Sequence, residues 1–262
     1  MPLDYPRSLG PGVREVIGDD PLDEIAVDEG VALLRPAIPG RSLLLAHQRP
    51  PDTDAVLDET DRLTWLAGRA GAPDVIASGR ADEGDEALVV RLPHDASSGI
   101  DGHPMGPEAL ATSLAGMLRE LHDLPTRSCP FDASVDVLRG RAARRIERGL
   151  VTRTDEGPYA RRPPVDLLAL HGRLELSDTA PTVIHGALRA ERVWLSPDGS
   201  AAFTGWRGAG VGDPHIDLAA AAAIVHQLHG PALVGPLLDA YGLDRIDLAR
   251  LDAAQLLVHL LT

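Results

Sequence analysis

Residues 182–195 read Thr182-Val183-Ile184-His185-Gly186-Ala187-Leu188-Arg189-Ala190-Glu191-Arg192-Val193-Trp194-Leu195. Two short apolar runs, Thr182–Ile184 and Val193–Leu195, enclose a polar loop, and a third run, Ala201–Phe203, follows the turn at 197–199. Short apolar runs bounded by Gly, Pro and Asp are typical of buried strands joined by turns. This stretch therefore predicts two strands that are connected by a polar loop and followed by a hairpin.

The sequence before residue 93 predicts a β-rich region with one helix. Residues 1–30 are acidic and rich in turn formers, and we expect them to cap the first sheet. Residues 54–70 follow a helical period. Four apolar runs predict strands, namely Val31–Leu34, Ser42–Leu45, Val75–Ala77 and Ala87–Leu92. We therefore expect residues 1–92 to form an N-terminal lobe.

From residue 107 onward the apolar spacing follows a mostly 3.6-residue period, which is typical of helices. The predicted helices are Glu108–His122, Val135–Gly149, Val165–Leu174, Asp217–Leu228, Pro231–Tyr241 and Leu248–Leu261. We expect residues 93–262 to form a larger C-terminal lobe that is helical and carries the hairpin. The predicted fold class is α+β, with a small β-rich lobe followed by a mostly helical one.

Composition limits the classes of function. The chain has 262 residues, of which 44% are hydrophobic, so it can fill a sizeable core. Its formal charge of −14 disfavours nucleic acid as a partner and suits cationic ligands. No apolar run approaches the roughly 20 residues that span a bilayer, so we expect no membrane association. One cysteine and an opening without a basic, apolar leader predict a cytoplasmic protein.

The chain contains neither lysine nor asparagine. All 25 of its Lys and Arg residues are arginine, and no asparagine occurs in any part of the sequence. The abundance of Ala, Arg, Gly, Pro and Asp fits a GC-rich genome, which explains the bias without reference to function. The chemical consequence is the same whatever its origin: no mechanism that needs an ammonium side chain of lysine or an amide of asparagine is open to this fold.

The stretch at 182–195 resembles the catalytic loop of the aminoglycoside phosphotransferases, in which a strand is followed by His-Gly-Asp, four residues, Asn and a second strand. Residues 205–219, from Gly205-Trp206-Arg207 to Asp217-Leu218-Ala219, resemble the metal-binding turn of that family and the acidic segment after it. Weaker similarities to the 3'-phosphotransferase branch extend over roughly residues 30–260, in the same order and spacing, at Asp58-Glu59, Arg119 to Pro125, Ser128 to Phe131, Arg148 to Val151 and Tyr241 to Asp244. The resemblance implies a two-lobed, protein-kinase-like fold.

The resemblance also implies where the catalytic groups of the family would lie, and this chain departs from the family at four of those positions. The phosphate-binding lysine would fall at Ala46, and its helix partner at Glu59, which is retained. The catalytic base would fall at Ala187, and the two metal ligands at Arg192 and Gly205. His185 and Asp217 are retained, and we interpret both as structural. Phosphoryl transfer depends on these groups to position the nucleotide and neutralise its charge, so the sequence predicts a pseudokinase.

This prediction leans against an enzyme but leaves alternatives open. A small misalignment would leave Asp198, Asp213 or Asp217 as base or metal ligand. A cleft adapted to a non-kinase acid–base reaction would use His47, Arg189, Glu191 or Asp213, together with His185 and Arg192, and should gather them in one pocket. An atypical but active small-molecule phosphotransferase would bind phosphate through arginines. We expect no metal and no cofactor, with binding of ATP and magnesium weak or absent.

The ligand of such a pseudokinase is predicted only as a class. The resemblance implies that acidic residues of a helical loop and of the C-terminal end bind the ammonium groups of an aminoglycoside. Asp155 and Glu156 preserve part of that loop and are the candidate residues for a cationic ligand, whereas the sequence ends at Thr262 without an acidic pair. We expect a small-molecule-binding or regulatory role, with secondary metabolism as a candidate setting.

Overall fold

The computed structural model describes residues 9–19, 21–28, 30–36, 43–48, 55–81, 84–92, 98–100, 105–151, 153, 159–174, 179–196, 198 and 200–262. They divide into two compact units. The first comprises residues 1–103 and 190–207, and the second comprises residues 104–189 and 208–262. The segment 190–207 therefore counts with the first unit, although it follows most of the second along the chain. The lobe boundary at residue 92 stays a prediction.

The first unit is built on a five-stranded antiparallel sheet. Its strands are β1 (Leu22–Asp28), β2 (Val31–Pro36), β3 (Leu43–Gln48), β4 (Asp74–Arg80) and β5 (Glu86–Arg91), in the order β1-β2-β3-β5-β4. Two helices accompany it, α1 (Pro11–Ile17) and α2 (Ala55–Leu66). A second sheet has the order β10-β9-β6 and consists of β6 (Ser98–Gly99), β9 (Val193–Leu195) and β10 (Ala201–Phe203).

Alternation along the strands gives the large sheet two distinct faces. Helix α1 packs Val13 and Ile17 into a core that also contains Leu34, Leu45 and Val89. Because successive side chains of a strand point to opposite faces, Ala46 and Leu88 belong to the other face. That second face contributes the wall of the pocket described below.

The second unit is mostly helical, as the sequence predicts. Its helices are α3 (Pro107–His122), α4 (Val135–Glu147), α5 (Pro164–His171), α6 (His215–His229), α7 (Val234–Tyr241) and α8 (Leu248–Leu261). Its small sheet consists of β7 (Asp132–Ala133), β8 (Thr182–Ile184) and β11 (Gly210–Gly212). Strand β11 lies in the middle, parallel to β7 and antiparallel to β8. This pairing connects the predicted loop after β8 to the segment that leads into α6.

Three expectations for the fold are wrong in part. Residues 1–30 contain a helix, α1, and a strand, β1, that extends the sheet by pairing with β2. Strand β1 lies at the sheet edge and carries acidic residues, which weakens the apolar alternation that would have revealed it. The predicted helix at 231–241 is a 3₁₀ turn, Pro231–Leu233, followed by α7. Helix α2 also ends at Leu66 rather than near residue 70, before Gly68, whose φ is +71°.

The β-rich character of the first unit and the helical character of the second agree with the predicted α+β class. Among the described residues, no helix is both long enough and apolar enough to cross a lipid bilayer.

Candidate functional site

The loop after β8 is held by one buried carboxylate of α6. Asp217 is fully buried, and its Oδ2 and Oδ1 accept hydrogen bonds from the backbone N–H groups of His185 (2.6 Å) and Gly186 (2.9 Å). His185 is also fully buried, and its Nδ1 accepts a hydrogen bond from the Ala187 N–H at 3.3 Å. Asp217 and His185 therefore fix the backbone of this loop and lie beneath it, out of contact with solvent.

A chain of hydrogen bonds extends from Asp217 to α3 and α7. The Nε2 atom of His122 lies 3.2 Å from Oδ2 of Asp217, and its Nδ1 lies 2.8 Å from the hydroxyl of Tyr241. All three groups are satisfied when Nε2 donates to the carboxylate and Nδ1 accepts from the phenol. Burial by itself would raise the pKa of Asp217, but the hydrogen bond with His122 and the hydrogen bond from the backbone N–H of His185 outweigh it and lower that pKa.

Ala187 presents a methyl group at the surface of this loop. It is partly exposed, and a Cβ atom added at Gly208 would lie only 2.9 Å from its own Cβ. A Cβ at Gly186 would lie 2.4 Å from the Gly208 carbonyl oxygen, and Gly186 has φ +67°. Both glycines are thus required by close backbone packing. Ala187 has no group that accepts a proton.

The first unit contains a pocket against the second face of its large sheet. Its apolar wall includes Leu33, Ala46 and Leu88, and its polar side carries Glu59, Glu191, Arg192 and Arg207. Glu59, on α2, is 7% exposed, and its Oε1 accepts hydrogen bonds from the backbone N–H groups of Gly205 (2.9 Å) and Trp206 (3.0 Å). Glu59 therefore anchors the 205–206 backbone, beside the methyl group that Ala46 contributes to the same pocket.

Arg192 fills the space beside Gly205. A Cβ atom added at Gly205 would lie 2.6 Å from both Cδ and Nε of Arg192 and 2.9 Å from its Cζ. The Nη1 atom of Arg192 is 3.5 Å from the Gly205 carbonyl oxygen, and the side chain is buried. Gly205 itself has φ +75°, a conformation that favours glycine. A guanidinium group thus occupies the place that a side chain at residue 205 would take.

The pocket is small, and it carries a positive charge at a position that the resemblance assigns to a metal ligand. The cavity measures about 50 Å³, whereas small-molecule sites usually measure about 300–1,000 Å³. The described residues contain no group of three or more His, Cys, Asp or Glu side chains that could hold a metal ion. Arg192 adds a permanent positive charge at the position that the resemblance assigns to a metal ligand.

Asp213 belongs to a second buried network of the second unit. Its Oδ2 accepts hydrogen bonds from Nε (3.0 Å) and Nη2 (2.6 Å) of Arg250, and its Oδ1 pairs with Nδ1 of His215 at 2.7 Å. Nε2 of His215 accepts a hydrogen bond from the backbone N–H of Asp247, the residue that caps α8. Burial by itself would raise the pKa of Asp213, but the hydrogen bonds from His215 and Arg250 outweigh it and lower that pKa. The network joins the starts of α6 and α8.

The remaining candidates do not converge on one pocket within either unit. His47 is 3% exposed and pairs with Asp85 at 3.1 Å, and it is not among the residues that line the pocket beside Ala46. Glu191 and Arg192 line that pocket together. Arg189 lies in the second unit and is partly exposed. Asp213 lines a different cavity of the second unit, which does not include His185.

Three predicted site residues remain, namely Asp198, Asp155 and Glu156. Asp198 accepts hydrogen bonds from the Ser196 hydroxyl and from the Ser200 N–H, the latter at 2.9 Å, so it stabilises the turn between β9 and β10. Asp155 and Glu156, the candidates for a cationic ligand, lie outside the described residues.

The sequence matches a known protein family over most of its length. The profile of the phosphotransferase enzyme family matches residues 37–254. An aminoglycoside 3'-phosphotransferase of Streptomyces fradiae is 32% identical over 223 residues, which is 80% of this chain and 81% of the relative. This chain belongs to the aminoglycoside phosphotransferase family.

Solved structures agree with the family assignment and with the predicted kinase-like fold. An aminoglycoside 3'-phosphotransferase of type VIII superposes with a TM-score of 0.75 at 25% identity, covering 95% of this chain and 97% of that chain. An aminoglycoside phosphotransferase from Streptomyces rimosus superposes with a TM-score of 0.78 at 23% identity, covering 95% and 96%. The predicted resemblance and fold class are therefore confirmed.

Sequence reasoning missed two features of this family member. It identified Glu59 as a carboxylate without its cation, whereas Glu59 bonds to the backbone of residues 205 and 206. It also did not predict the Arg250–Asp213 pair, whose partners are 37 residues apart. The only sequence signal for the role of Glu59 was that this acidic residue is retained although its lysine partner is absent. No local signal existed for the second.

Proposed function

We propose that this protein is a pseudokinase of the aminoglycoside phosphotransferase family, in which the fold is retained as a small-molecule-binding or regulatory module. It binds a ligand without transferring phosphate to it, and secondary metabolism is a candidate setting. One observation carries the proposal: the side chain of Arg192 occupies the space beside Gly205. The family resemblance assigns both positions to metal ligands.

Charge is the first reason why this arrangement opposes catalysis. Arginine stays protonated in proteins, so its guanidinium repels a divalent cation at short range. Arg192 is buried, so solvent screens that repulsion less than it would at the protein surface. A metal ion at this position would need a carboxylate where the chain has Gly205 and an oxygen ligand where it has Arg192.

The positions assigned to the other catalytic groups support the same conclusion. Ala187 and Ala46 carry methyl groups, so neither can accept a proton or bind a phosphate oxygen. Phosphoryl transfer is mostly positioning and charge neutralisation, which leaves little covalent chemistry for other residues to supply. Removing a single group of this kind typically lowers kcat by about 10²–10³-fold. The joint absence of four such groups leaves no ordinary route to transfer.

The parts that hold the fold together are nevertheless intact. Asp217 still fixes the loop at 185–186, and Glu59 still fixes the backbone at 205–206. Both are buried carboxylates that would be costly to keep without their hydrogen-bond partners. Retained scaffolding without reactive groups is the combination expected of a binding module.

Release of ADP tests the proposal. The purified chain is incubated with Mg²⁺, ATP and a panel that includes streptomycin and 3'-hydroxyl aminoglycosides, beside the Streptomyces fradiae relative as the positive control. We expect turnover from the relative only. Turnover by this chain that disappears in the Arg192→Met variant would overturn the proposal and favour a phosphotransferase that uses arginine. A quadruple variant, A46K/A187D/R192N/G205D, measures how much activity the family residues restore.

A further inference from the structure

The second unit contains a cavity beside its small sheet. Strand β7 contributes Asp132, strand β11 contributes Val211, and the segment that leads into β8 contributes Pro181. The first turns of α4 and α8 add Val135 and Arg250. The cavity measures about 560 Å³, within the range of about 300–1,000 Å³ usual for small-molecule sites. We call it the Asp132 cavity.

A buried ion pair supplies one part of the lining. Asp213 and Arg250 are 8% and 9% exposed, and Arg250 donates to Oδ2 of Asp213 through both Nε and Nη2. A pair of this bidentate kind commits the guanidinium to its own carboxylate. The positive charge of Arg250 is therefore already balanced inside the protein, and an anionic ligand would have to compete with Asp213 for it.

Asp132 supplies the remaining charge of the described lining. It is exposed, and its Oδ1 accepts a hydrogen bond from the backbone N–H of Ser134 at 2.7 Å. The backbone and the hydroxyl of Ser134 lower the pKa of Asp132 below its ordinary value of 3.8, so the carboxylate is ionised at neutral pH. Asp132 forms no ion pair with another described residue. The negative charge of the cavity thus has the same sign as the formal charge of the whole chain, −14, and both favour a cationic ligand.

Apolar surface lies in the same cavity as this carboxylate. Phe131, Val135 and Val211 line the cavity and are each partly exposed, and Pro130 and Pro181 are exposed. A ligand that covers these side chains removes apolar surface from water, which favours binding. The lining therefore suits a molecule that combines an apolar body with one positive charge.

We propose that the Asp132 cavity binds a small amphipathic amine. Its ammonium group pairs with the carboxylate of Asp132, and its apolar body lies against Phe131, Val135 and Val211. This inference goes beyond the proposed function and does not depend on it. The cavity belongs to the second unit and shares no lining residue with the pocket beside Arg192, which belongs to the first.

Three small molecules of nearly equal size separate the effect of charge from that of apolar contact. Phenethylamine is a cation at pH 7, phenylethanol is its uncharged counterpart, and phenylacetate is an anion. Cys129, the single cysteine of the chain, is partly exposed and lines the same cavity, so its thiol reports occupancy. The measured quantity is the rate at which this thiol reacts with dithiodipyridine, an uncharged reagent that reacts with thiols and not with amines. Calorimetric titration measures the same affinities without the thiol.

The test variant is Asp132→Asn, which removes the charge and keeps an oxygen that accepts from Ser134. The matched control is Asp136→Asn, at a carboxylate of α4 that is 94% exposed and does not line the cavity. Both variants remove one negative charge from the chain, so the general attraction of a cation changes equally in the two. Thermal unfolding confirms that each remains folded.

We expect phenethylamine to protect Cys129 saturably in the native chain and in D136N, and to bind about two- to fivefold more weakly to D132N, as for an exposed ion pair. Phenylethanol should bind the native chain more weakly than phenethylamine, and phenylacetate more weakly still. Absence of saturable phenethylamine binding, equal affinity for phenylethanol, or equal affinity of D132N and D136N would each overturn the inference. The comparison of the three molecules on the native chain holds even if D132N unfolds. ADP release by the chain would contradict the pseudokinase proposal and leave this inference unchanged.

Discussion

The side chain of Arg192 lies where Gly205 would carry its own side chain, within 2.6 Å of the position of a Cβ atom there. The two residues are therefore coupled: a side chain at residue 205 would require that of Arg192 to move. Glu59 holds the same backbone in place through Gly205 and Trp206. The two positions that the resemblance assigns to metal ligands therefore form one packing arrangement.

Replacing Gly205 alone should be costly. Gly205→Asp adds a side chain at φ +75° and forces it against Arg192, so we expect a loss of about 2–4 kcal/mol in the free energy of unfolding. The matched control is Gly68→Asp, where φ is +71° and no atom lies within 4 Å of the added Cβ. Only backbone strain applies there, about 1 kcal/mol. Urea unfolding of both variants measures the difference, and equal losses would show that Arg192 does not fill this space.

Removing the arginine at the same time should relieve the collision. In a double-mutant cycle, R192N/G205D should be more stable than the sum of the two single variants implies, by about 0.5–3 kcal/mol. Additive losses would mean that the two side chains do not interact.

Glu59 should contribute to stability although it has no lysine partner. Glu59→Ala leaves two backbone N–H groups near the pocket without acceptors, and each such group costs about 1–3 kcal/mol when buried. Glu59→Gln keeps one carbonyl acceptor and should lose less. Asp61→Ala removes an exposed carboxylate from the same helix and serves as the control. A Glu59→Ala variant no less stable than Asp61→Ala in urea would refute this role.

The bond between Tyr241 and His122 should also be measurable. Tyr241→Phe removes the hydroxyl that lies 2.8 Å from Nδ1 of His122 and leaves that nitrogen buried without a partner. Because burial raises the pKa of Tyr241 to about 12, the phenol is protonated at every ordinary pH. We expect a loss of about 1–3 kcal/mol in thermal or urea unfolding. Tyr159→Phe, at a partly buried tyrosine, is the control and should change little.

Stability should fall in acid through Asp213. Its folded pKa is lowered below the ordinary 3.8, so its contribution is fully present above pH 3.8 and is lost as the pH falls through the folded pKa. In Asp213→Asn, which cannot ionise, the free energy of unfolding should depend less on pH between about pH 5 and pH 2. Asp252→Asn, at an exposed carboxylate of α8, should keep the native pH profile. An unchanged profile in Asp213→Asn would contradict the assignment.

Much of the fold could be predicted because its strands and helices have strong periodicity. The strands Thr182–Ile184, Val193–Leu195 and Ala201–Phe203 lie where the sequence predicts them. Strand β1 could not be predicted, since an acidic edge strand lacks clear alternation and is defined by its pairing with β2. The 3₁₀ turn at Pro231–Leu233 has nearly the same apolar period as a helix start, so spacing alone does not separate the two.

The residue types of the site could be predicted from the sequence, but the contacts between those residues could not. The sequence shows alanine, arginine and glycine at positions where the resemblance implies reactive groups, because residue types can be compared directly. It does not show that the Arg192 side chain lies against Gly205, 13 positions away along the chain. It also does not show that Glu59 bonds to the backbone of Gly205, which is 146 positions away.

Binding of a metal nucleotide tests the central claim most directly. Calorimetric titration of the native chain with ATP at millimolar concentration, with and without Mg²⁺, is expected to show no saturable binding that depends on the metal. The Streptomyces fradiae relative should show such binding under the same conditions. Saturable binding by the native chain that requires Mg²⁺ would contradict the claim that the guanidinium of Arg192 beside Gly205 excludes a metal-bound triphosphate.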